Sequence, residues 1–384
     1  MAQVATYQIH RFEAGILTKQ LNYRAFSPVR IQGYWSWDDR ELTKLSEKAA
    51  IAIGQLDAYA HQIPNIDHFI RMYVVKEATV SSRIEGTQTN MQEAILAEDD
   101  IQPERRDDWI EVNNYIQALN QTITLLPQMP LSSRLFKQAH RILLQGARGE
   151  HKQPGEFRRS QNWIGGASLS VATFIPPLWQ EVDVLMGDLE NFLHDEDTGL
   201  TDLMKIALAH YQFETIHPFL DGNGRIGRLM ITLYLVEKGI IKQPVLYLSD
   251  FFEKNRTLYY DKLTAVRTKN ELLAWVKFFL HGVIETCQSS IQTLINIIAL
   301  KKDCEEKRIY TLGRKVHVAK SLLDYLFQQP VVDADRIANQ LAISRVSAYK
   351  LIEDFTRLGI LHEMTGAKRN RMYFFEEYFT LFNH

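Results

Sequence analysis

The chain has 384 residues, 46% of them hydrophobic and 23% charged, which leaves room for two or three globular domains and a sizeable core. A net charge of −2 excludes a molecule built throughout as a polyanion binder, although a local basic face is compatible with it. Two cysteines, Cys287 and Cys304, are too few for a disulfide framework and form no CxxC metal pattern, so a reducing compartment is expected.

The opening MAQVATYQIHRFEAG lacks a charged head followed by an apolar core, so no signal peptide is expected. The longest apolar run, 229–236, is far shorter than a membrane span. A cytoplasmic chain that enters no membrane is the expectation. Helical periodicity begins near residue 41, where Leu42, Leu45, Ala49, Ile53, Leu56 and Tyr59 keep to one face. A second helix is expected over 66–84 and a third from Asp107, carrying Trp109, Val112, Tyr115, Ile116 and Leu119. The pattern continues over 132–144, 177–194, 201–216, 224–238, 251–266 and 271–302. Between them, 154–177 reads as a long irregular connection with a short hairpin, and loops of that length are usually functional.

After Lys315 the pattern changes. A helix is expected over 316–327, a second over 334–340 capped by Asp333, and a third over 345–358 capped by Ser344. Two extended pieces, 360–364 and 372–375, then flank a basic turn. This order reads as a winged helix-turn-helix, with a boundary near 300–310.

The densest chemistry lies in His217-Pro-Phe-Leu-Asp-Gly-Asn-Gly-Arg-Ile-Gly-Arg228. Pro218 disfavours helical geometry at His217, so the imidazole sits at a helix end. Gly222 and Gly224 allow a tight turn around Asn223 into a new helix, whose free N–H groups form an anion site. Arg225 and Arg228, three apart, share one side of that helix and can reach further phosphate oxygens. Asp221 supplies a hard oxygen suited to Mg²⁺. A base, a metal ligand, an anion nest and two guanidinium groups suit phosphoryl or nucleotidyl transfer from a nucleoside triphosphate.

The same segment matches the Fic family motif HxFx(D/E)GNGRxxR at every defined position, and the chain resembles that family over roughly 40–290. Pro154-Gly-Glu-Phe-Arg158, Gln161-Asn-Trp-Ile-Gly-Gly166 and Phe174-Ile-Pro-Pro177 look like the Fic flap and its flanks. Tyr247-Leu-Ser and Phe251-Phe-Glu-Lys-Asn-Arg256, with Tyr259 and Tyr260, look like the nucleotide-side helix. The resemblance implies a mainly α fold: a Fic-type helical bundle with a short β-hairpin flap, plus the winged helix as a familiar appendage. The division it suggests is an N-terminal helical region at 1–105, a catalytic core at 106–300 and a C-terminal unit at 305–384.

The resemblance further implies a protein adenylyltransferase. His217 would take the proton from a target Ser, Thr or Tyr hydroxyl, whose oxygen would attack the α-phosphorus of ATP. Asp221 would hold Mg²⁺, and the stretch Gly222, Asn223, Gly224, Arg225, Ile226, Gly227 and Arg228 would bind the nucleotide, with Arg225 on the β- and Arg228 on the γ-phosphate. Phe219 would anchor the loop. Val171, Ala172, Thr173 and Phe174 of the flap would line the nucleotide and pair with the target's main chain. Asn255 would help position the adenosine, although it, Tyr259 and Tyr260 also suit plain helix packing. A homodimer is implied as plausible.

Upstream, Ser81-Ser-Arg-Ile-Glu85-Gly86 closes the helix expected over 66–84, with Ser81 and Glu85 four apart on one face. The string matches the Fic inhibitory motif (S/T)xxxE(G/N), which implies that Glu85 pairs with Arg228 and blocks the γ-phosphate. By family analogy Glu85 could alternatively serve in removing AMP from a modified target. Other family members use other donors, and the intact Gly222, Gly224, Arg225 and Arg228 favour a triphosphate tail bound for AMP transfer. Neither a kinase nor a P-loop pattern is present. For the C-terminal unit, Arg345, Lys350, Arg357, Lys368, Arg369 and Arg371 modestly outnumber Glu353, Asp354 and Glu363. DNA binding through 333–372, the last three cations lying on the wing, and a protein-interaction module both stay open. A DNA-binding regulator with the Fic core as sensor is the competing class.

Overall fold

The computed structural model describes residues 5–382 apart from 64, 147, 150, 365 and 367–370. The chain opens on strands β1 (Thr6–Gln8), β2 (Gly15–Lys19), β3 (Arg24–Pro28) and β4 (Tyr34–Ser36). β1 pairs in parallel with β4, and β2 with β3 as an antiparallel hairpin. The expectation of a helical region over 1–105 therefore needs correction: its first third is made of short strands. β2 leaves four of its five residues exposed, so it shows no alternation of the kind that announces a half-buried strand.

Helices α1 (Arg40–Gln62), α2 (Asp67–Ile84), α3 (Met91–Ala94), α4 (Arg106–Leu125), α5 (Ser133–Leu143), α6 (Val182–His194), α7 (Asp202–Ile216) and α8 (Asn223–Glu237) follow. Asp39 starts α1 by accepting from the Leu42 N–H at 2.6 Å, and Ser132 does the same for α5 through Leu135. The next stretch, expected as one helix over 251–266, is two: α9 (Ser249–Lys254) and α10 (Arg256–Lys269) break at Asn255, outside helical geometry at φ −110°, ψ 31°. α6 begins later than expected because a single 3₁₀ turn, Trp179–Glu181, precedes it.

α11 (Leu272–Asp303) packs along α1 and buries Trp275, Val276, Phe279, Leu280, Val283 and Cys287. The helical run starting at Leu272 is long and apolar enough, by length and composition, to cross a membrane, which the reading of 229–236 as the longest apolar stretch did not anticipate. Packing against α1 and the core accounts for part of that apolarity, since 39% of the apolar stretch is buried. A kinked connection, Cys304–Lys315, leads to α12 (Val316–Gln328), β5 (Val331–Val332), α13 (Ala334–Leu341), α14 (Arg345–Arg357), β6 (His362–Glu363), β7 (Tyr373–Phe374) and α15 (Glu376–Thr380). The caps expected at Asp333 and Ser344 are present, accepting from Arg336 and Ser347. The ribbon carries a third strand, in the order β5-β7-β6.

α7 and α8 are buried along nearly their whole length, and α2 is buried over its C-terminal half. α7 buries every residue from Leu203 to Ile216, and α2 buries twelve of its residues, among them Glu77, Thr79, Ser81 and Ser82. A helix covered all round has no solvated face, so polar groups on it need partners inside the protein. Those partners build the site.

Candidate active site

α7 ends as Pro218 requires: His217 caps it in the left-handed region, at φ 50° and ψ 61°, with its N–H still donating to Phe213 O at 2.9 Å. A non-glycine residue held there signals a constrained backbone. The constraint is visible. Arg158 Nε donates to His217 O at 2.9 Å, Arg158 Nη2 donates to Ile216 O and Pro177 O, and Asn162 Nδ2 donates to His217 O and Phe219 O. Asn223 closes the turn from inside, accepting from Phe219 N at 2.8 Å and donating to Phe219 O at 2.9 Å. Phe219 is fully buried and stacks on His140 at 3.9 Å, as its anchoring role requires. His140 Nδ1 accepts from Gly155 N, so its Nε2 carries the proton and donates to Asp221 O at 3.1 Å.

Gly222 then turns the chain at φ 72° into α8. At Gly224 a Cβ would collide with Glu85 Oε1, so the glycine leaves room for the carboxylate beside Arg228. Arg228 Nη2 pairs with Glu85 Oε1 at 2.7 Å, while Arg228 Nε donates to Ser81 Oγ and Nη2 to Ser81 O, both at 2.8 Å. The Arg228 side chain is 2% exposed and that of Glu85 34%, so the pair is shielded on the arginine's side and reachable on the glutamate's. Burial alone would raise the Glu85 carboxyl, but the Arg228 charge prevails and holds it below the usual range. Its carboxylate also feels Arg225 and His217. Burial, reinforced by Arg158, lowers His217 to about 4, so its ring is neutral at pH 7. His217 Nδ1 is buried with no hydrogen-bond partner among the described residues.

The other expected residues divide. Arg225 faces a carboxylate that the sequence did not point to: its Nη1 lies 3.2 Å from Glu111 Oε2 on α4 and its Nη2 3.7 Å from Asp221 Oδ1. Asp221 keeps its side chain 45% exposed. Ile226 cannot make the expected nucleotide contact, because its side chain lies in the core and its N–H donates to Gly222 O. Gly227 packs under Glu214, and its carbonyl accepts from His210 Nδ1. Asn255 spends its amide on Phe251 O, capping α9, and Tyr259 is buried with its hydroxyl on His210, whereas Tyr260 stays exposed. On the flap, Ile164 and Phe174 form the hairpin bridge, and Val171 is exposed. Phe174 is held between the Phe26 ring and the Arg267 guanidinium, 3.9 Å from its centroid.

With the geometry in hand, two family models match the chain: the Fic/DOC family N-terminal region over residues 43–124 and the Fic/DOC family over 130–235, which contains the loop just described. The chain therefore carries the Fic/DOC N-terminal and Fic regions. A Fic family protein from Desulfovibrio desulfuricans G20 superposes with a TM-score of 0.56 at 19% identity, covering 88% of this chain and 96% of that one. Residues 134–508 of Fic-1 from C. elegans give a TM-score of 0.52 at 21% identity, covering 68% and 74%. These show the Fic fold. Among curated relatives, a protein adenylyltransferase Fic from Aedes aegypti is 35% identical over 125 residues, 32% of this chain and 22% of that protein. Its namesake from Drosophila grimshawi is 26% identical over 247 residues, 63% of this chain and 47% of that protein. The chain thus spans less than half the length of these two relatives.

Four further residues that sequence reading left without a role also hold the Fic loop in place: Arg158, Asn162, His140 and Glu111. Arg158 and Asn162 sit in strings that resembled the flap flanks, which was the available signal. Nothing local marks His140 or Glu111, whose partners lie 81 and 114 residues away.

At the far end of the chain, Arg345 pairs with Asp335 and Arg357 with Asp354. Lys368 and Arg369 of the expected wing lie outside the described residues.

Proposed function

We propose that this protein transfers AMP from ATP to a Ser, Thr or Tyr hydroxyl of a protein target, itself included, and that Glu85 restrains it. The observation that carries the reading is the ion pair itself: Glu85 meets Arg228 at 2.7 Å beside a glycine-lined turn, and its carboxylate lies within the electrostatic influence of Arg225 and His217. The curated relatives named as adenylyltransferases support the choice of donor and reaction.

The chemistry then follows from the chain's own groups. The target hydroxyl gives its proton to the His217 imidazole, its oxygen forms a bond to the α-phosphorus, and the bond from that phosphorus to the bridging oxygen breaks with pyrophosphate leaving. The negative phosphates of a bound nucleotide raise the depressed basicity of His217 toward working pH. The N-terminus of α8 takes charge on the transferring phosphate. Arg228 serves the γ-phosphate only after Glu85 withdraws. Without that exchange the triphosphate tail is misplaced, and in-line attack is lost.

Mg²⁺ fits the donor set. Asp221 presents one accessible carboxylate, and no cluster of three or more His, Cys, Asp or Glu side chains occurs among the described residues, so phosphates and water would complete the shell as Mg²⁺ prefers. When bound it supplies charge neutralisation at the α- and β-phosphates. We keep the working division into an N-terminal region to 105, a catalytic core to 300 and a C-terminal winged unit from 305. DNA binding through 333–372 has weaker support, since two of the α14 cations already meet carboxylates. Homodimer formation is carried by the family likeness alone, and a cytoplasmic location by the sparse cysteines alone.

The test is labelling with radioactive ATP. Glu85→Gly is expected to raise self-modification and His217→Ala to abolish it, with mass spectrometry showing an AMP adduct. Equal labelling of wild type and Glu85→Gly refutes the brake, and an adduct of another mass refutes the donor.

A further inference from the structure

α2 connects the active site to the C-terminal unit. Phe69, Tyr73, Glu77, Ser81 and Glu85 succeed one another at steps of four, so they form a single ridge that winds slowly around the helix. At one end the ridge delivers Ser81 and Glu85 to Arg228. In the middle, Glu77 is buried and accepts from Tyr115 at 2.8 Å and Ser249 at 2.6 Å. At the other end, Phe69 meets Phe327 of α12 edge-on at 5.3 Å, and Tyr73 meets Phe382 at 5.2 Å. Tyr378 of α15 ties these rings together, 4.8 Å from Phe327 and 5.3 Å from Phe382. All three C-terminal rings are buried. The seat and the tip of the ridge lie sixteen positions apart, about 24 Å along the axis.

We propose that the C-terminal unit sets the brake: its aromatic seat holds α2 in the position that puts Glu85 on Arg228. The inference rests on the transferase reading above and adds a control element remote from the cleft. Tyr73 fixes the same helix to α11 by donating to Ser290 O at 3.1 Å, so the seat acts on a helix clamped at one end and ion-paired at the other. A helix transmits a displacement along its axis as a rigid element, and an ion pair is lost once its partners part beyond hydrogen-bond range. Loosening the seat therefore weakens the grip of Glu85 without touching any residue of the cleft.

The experiment is a cycle on the full chain: wild type, Phe382→Ala, Glu85→Gly and the double variant, each incubated with labelled ATP. Phe382→Ala is expected to raise self-modification at least about fivefold, the low end of ordinary site-to-site coupling. The double variant is expected to match Glu85→Gly alone, because the brake is already gone. Wild-type labelling in Phe382→Ala beside a raised Glu85→Gly overturns this inference and leaves the function standing. No rise in Glu85→Gly sinks the brake itself, and this inference with it. Hydrogen exchange of the amides at 78–86, measured without nucleotide, gives a readout independent of activity. Faster exchange there in Phe382→Ala supports the seat, while acceleration confined to 316–382 overturns it. Phe382→Leu, which keeps most of the bulk, is expected to lie near wild type in both measurements.

Discussion

The two walls of the Fic cleft are held by different means. The loop wall, 217–228, is fixed by buried side chains bonded to backbone: Arg158 and Asn162 on the carbonyls of 216–219, Asn223 on both polar groups of Phe219, and His140 on the carbonyl of Asp221. The α2 wall meets the other through a few contacts centred on Arg228. Backbone-directed bonds in a buried site cannot be exchanged for water without leaving polar groups unpaired. A carboxylate one-third exposed can be replaced by a phosphate. The first wall therefore preorganises the chemistry, and on the second the Glu85 carboxylate is the group that a phosphate can displace. The two arginines of α8 repeat the contrast: Arg225 is answered by Glu111 on α4, whereas Arg228 is answered by the partly exposed Glu85 and by Ser81 on α2.

If that contrast is right, the fixed wall should be costly to damage. The largest effect is expected from Glu111→Gln. It strands the buried Arg225 guanidinium, and breaking such a pair costs about 3–5 kcal/mol. Urea titration should place the variant near the low end, since Asp221 at 3.7 Å still answers part of the charge. A change below about 0.5 kcal/mol, the size of an ordinary surface substitution, would mean that Arg225 is not held as described. Next comes Arg158→Met, which keeps the bulk but removes four donated bonds to backbone oxygens, those of His217, Ser160, Pro177 and Ile216. In a Glu85→Gly background it is expected to lower kcat about 100-fold, the cost of misplacing a reacting group by about 1 Å. A fall in affinity for ATP with kcat intact would instead assign Arg158 to binding.

Much of this cleft was legible in sequence because its logic is local. Pro218 after His217 ends a helix, Gly222 and Gly224 permit one turn, and Ser81 and Glu85 share a helix face by spacing alone. The fixed wall was not legible, because side chains that bond backbone oxygens leave no periodic trace and their partners are set by tertiary folding. The same reason hid the break at Asn255, which sits in a polar stretch with helical spacing on both sides. The N-terminal strands escaped for another reason. β1 and β4 have three residues each, too few for alternation to register, and β2 is mostly exposed. Phe382 could be read as core, but nothing in the sequence says that its neighbour is Tyr73, 309 residues earlier.

The smallest effect sharpens the contrast between two glutamates that share one arginine's field. Glu85 has a direct partner and is held below its ordinary range, whereas Glu214, under Gly227 on the fixed wall, has a buried Oε1 with no hydrogen-bond partner among the described residues. Burial raises Glu214 to about 7; Arg228 offsets part of that and the Glu85 charge adds to it. A carboxyl raised on folding favours the native state in its protonated form. Its contribution is present below the unfolded value of 4.5 and is lost as the pH rises through about 7. Glu214→Gln carries no such penalty, so it should match wild type near pH 4.5, gain on it as the pH rises, and exceed it at pH 8. Because Glu85 is one cause of the raised value, the gain should shrink in a Glu85→Gly background. Chemical denaturation of the four proteins at pH 5 and pH 8 reads both differences. A pH-independent gap between Glu214→Gln and wild type would show that this carboxyl has found a partner and that the fixed wall is more completely satisfied than the geometry indicates.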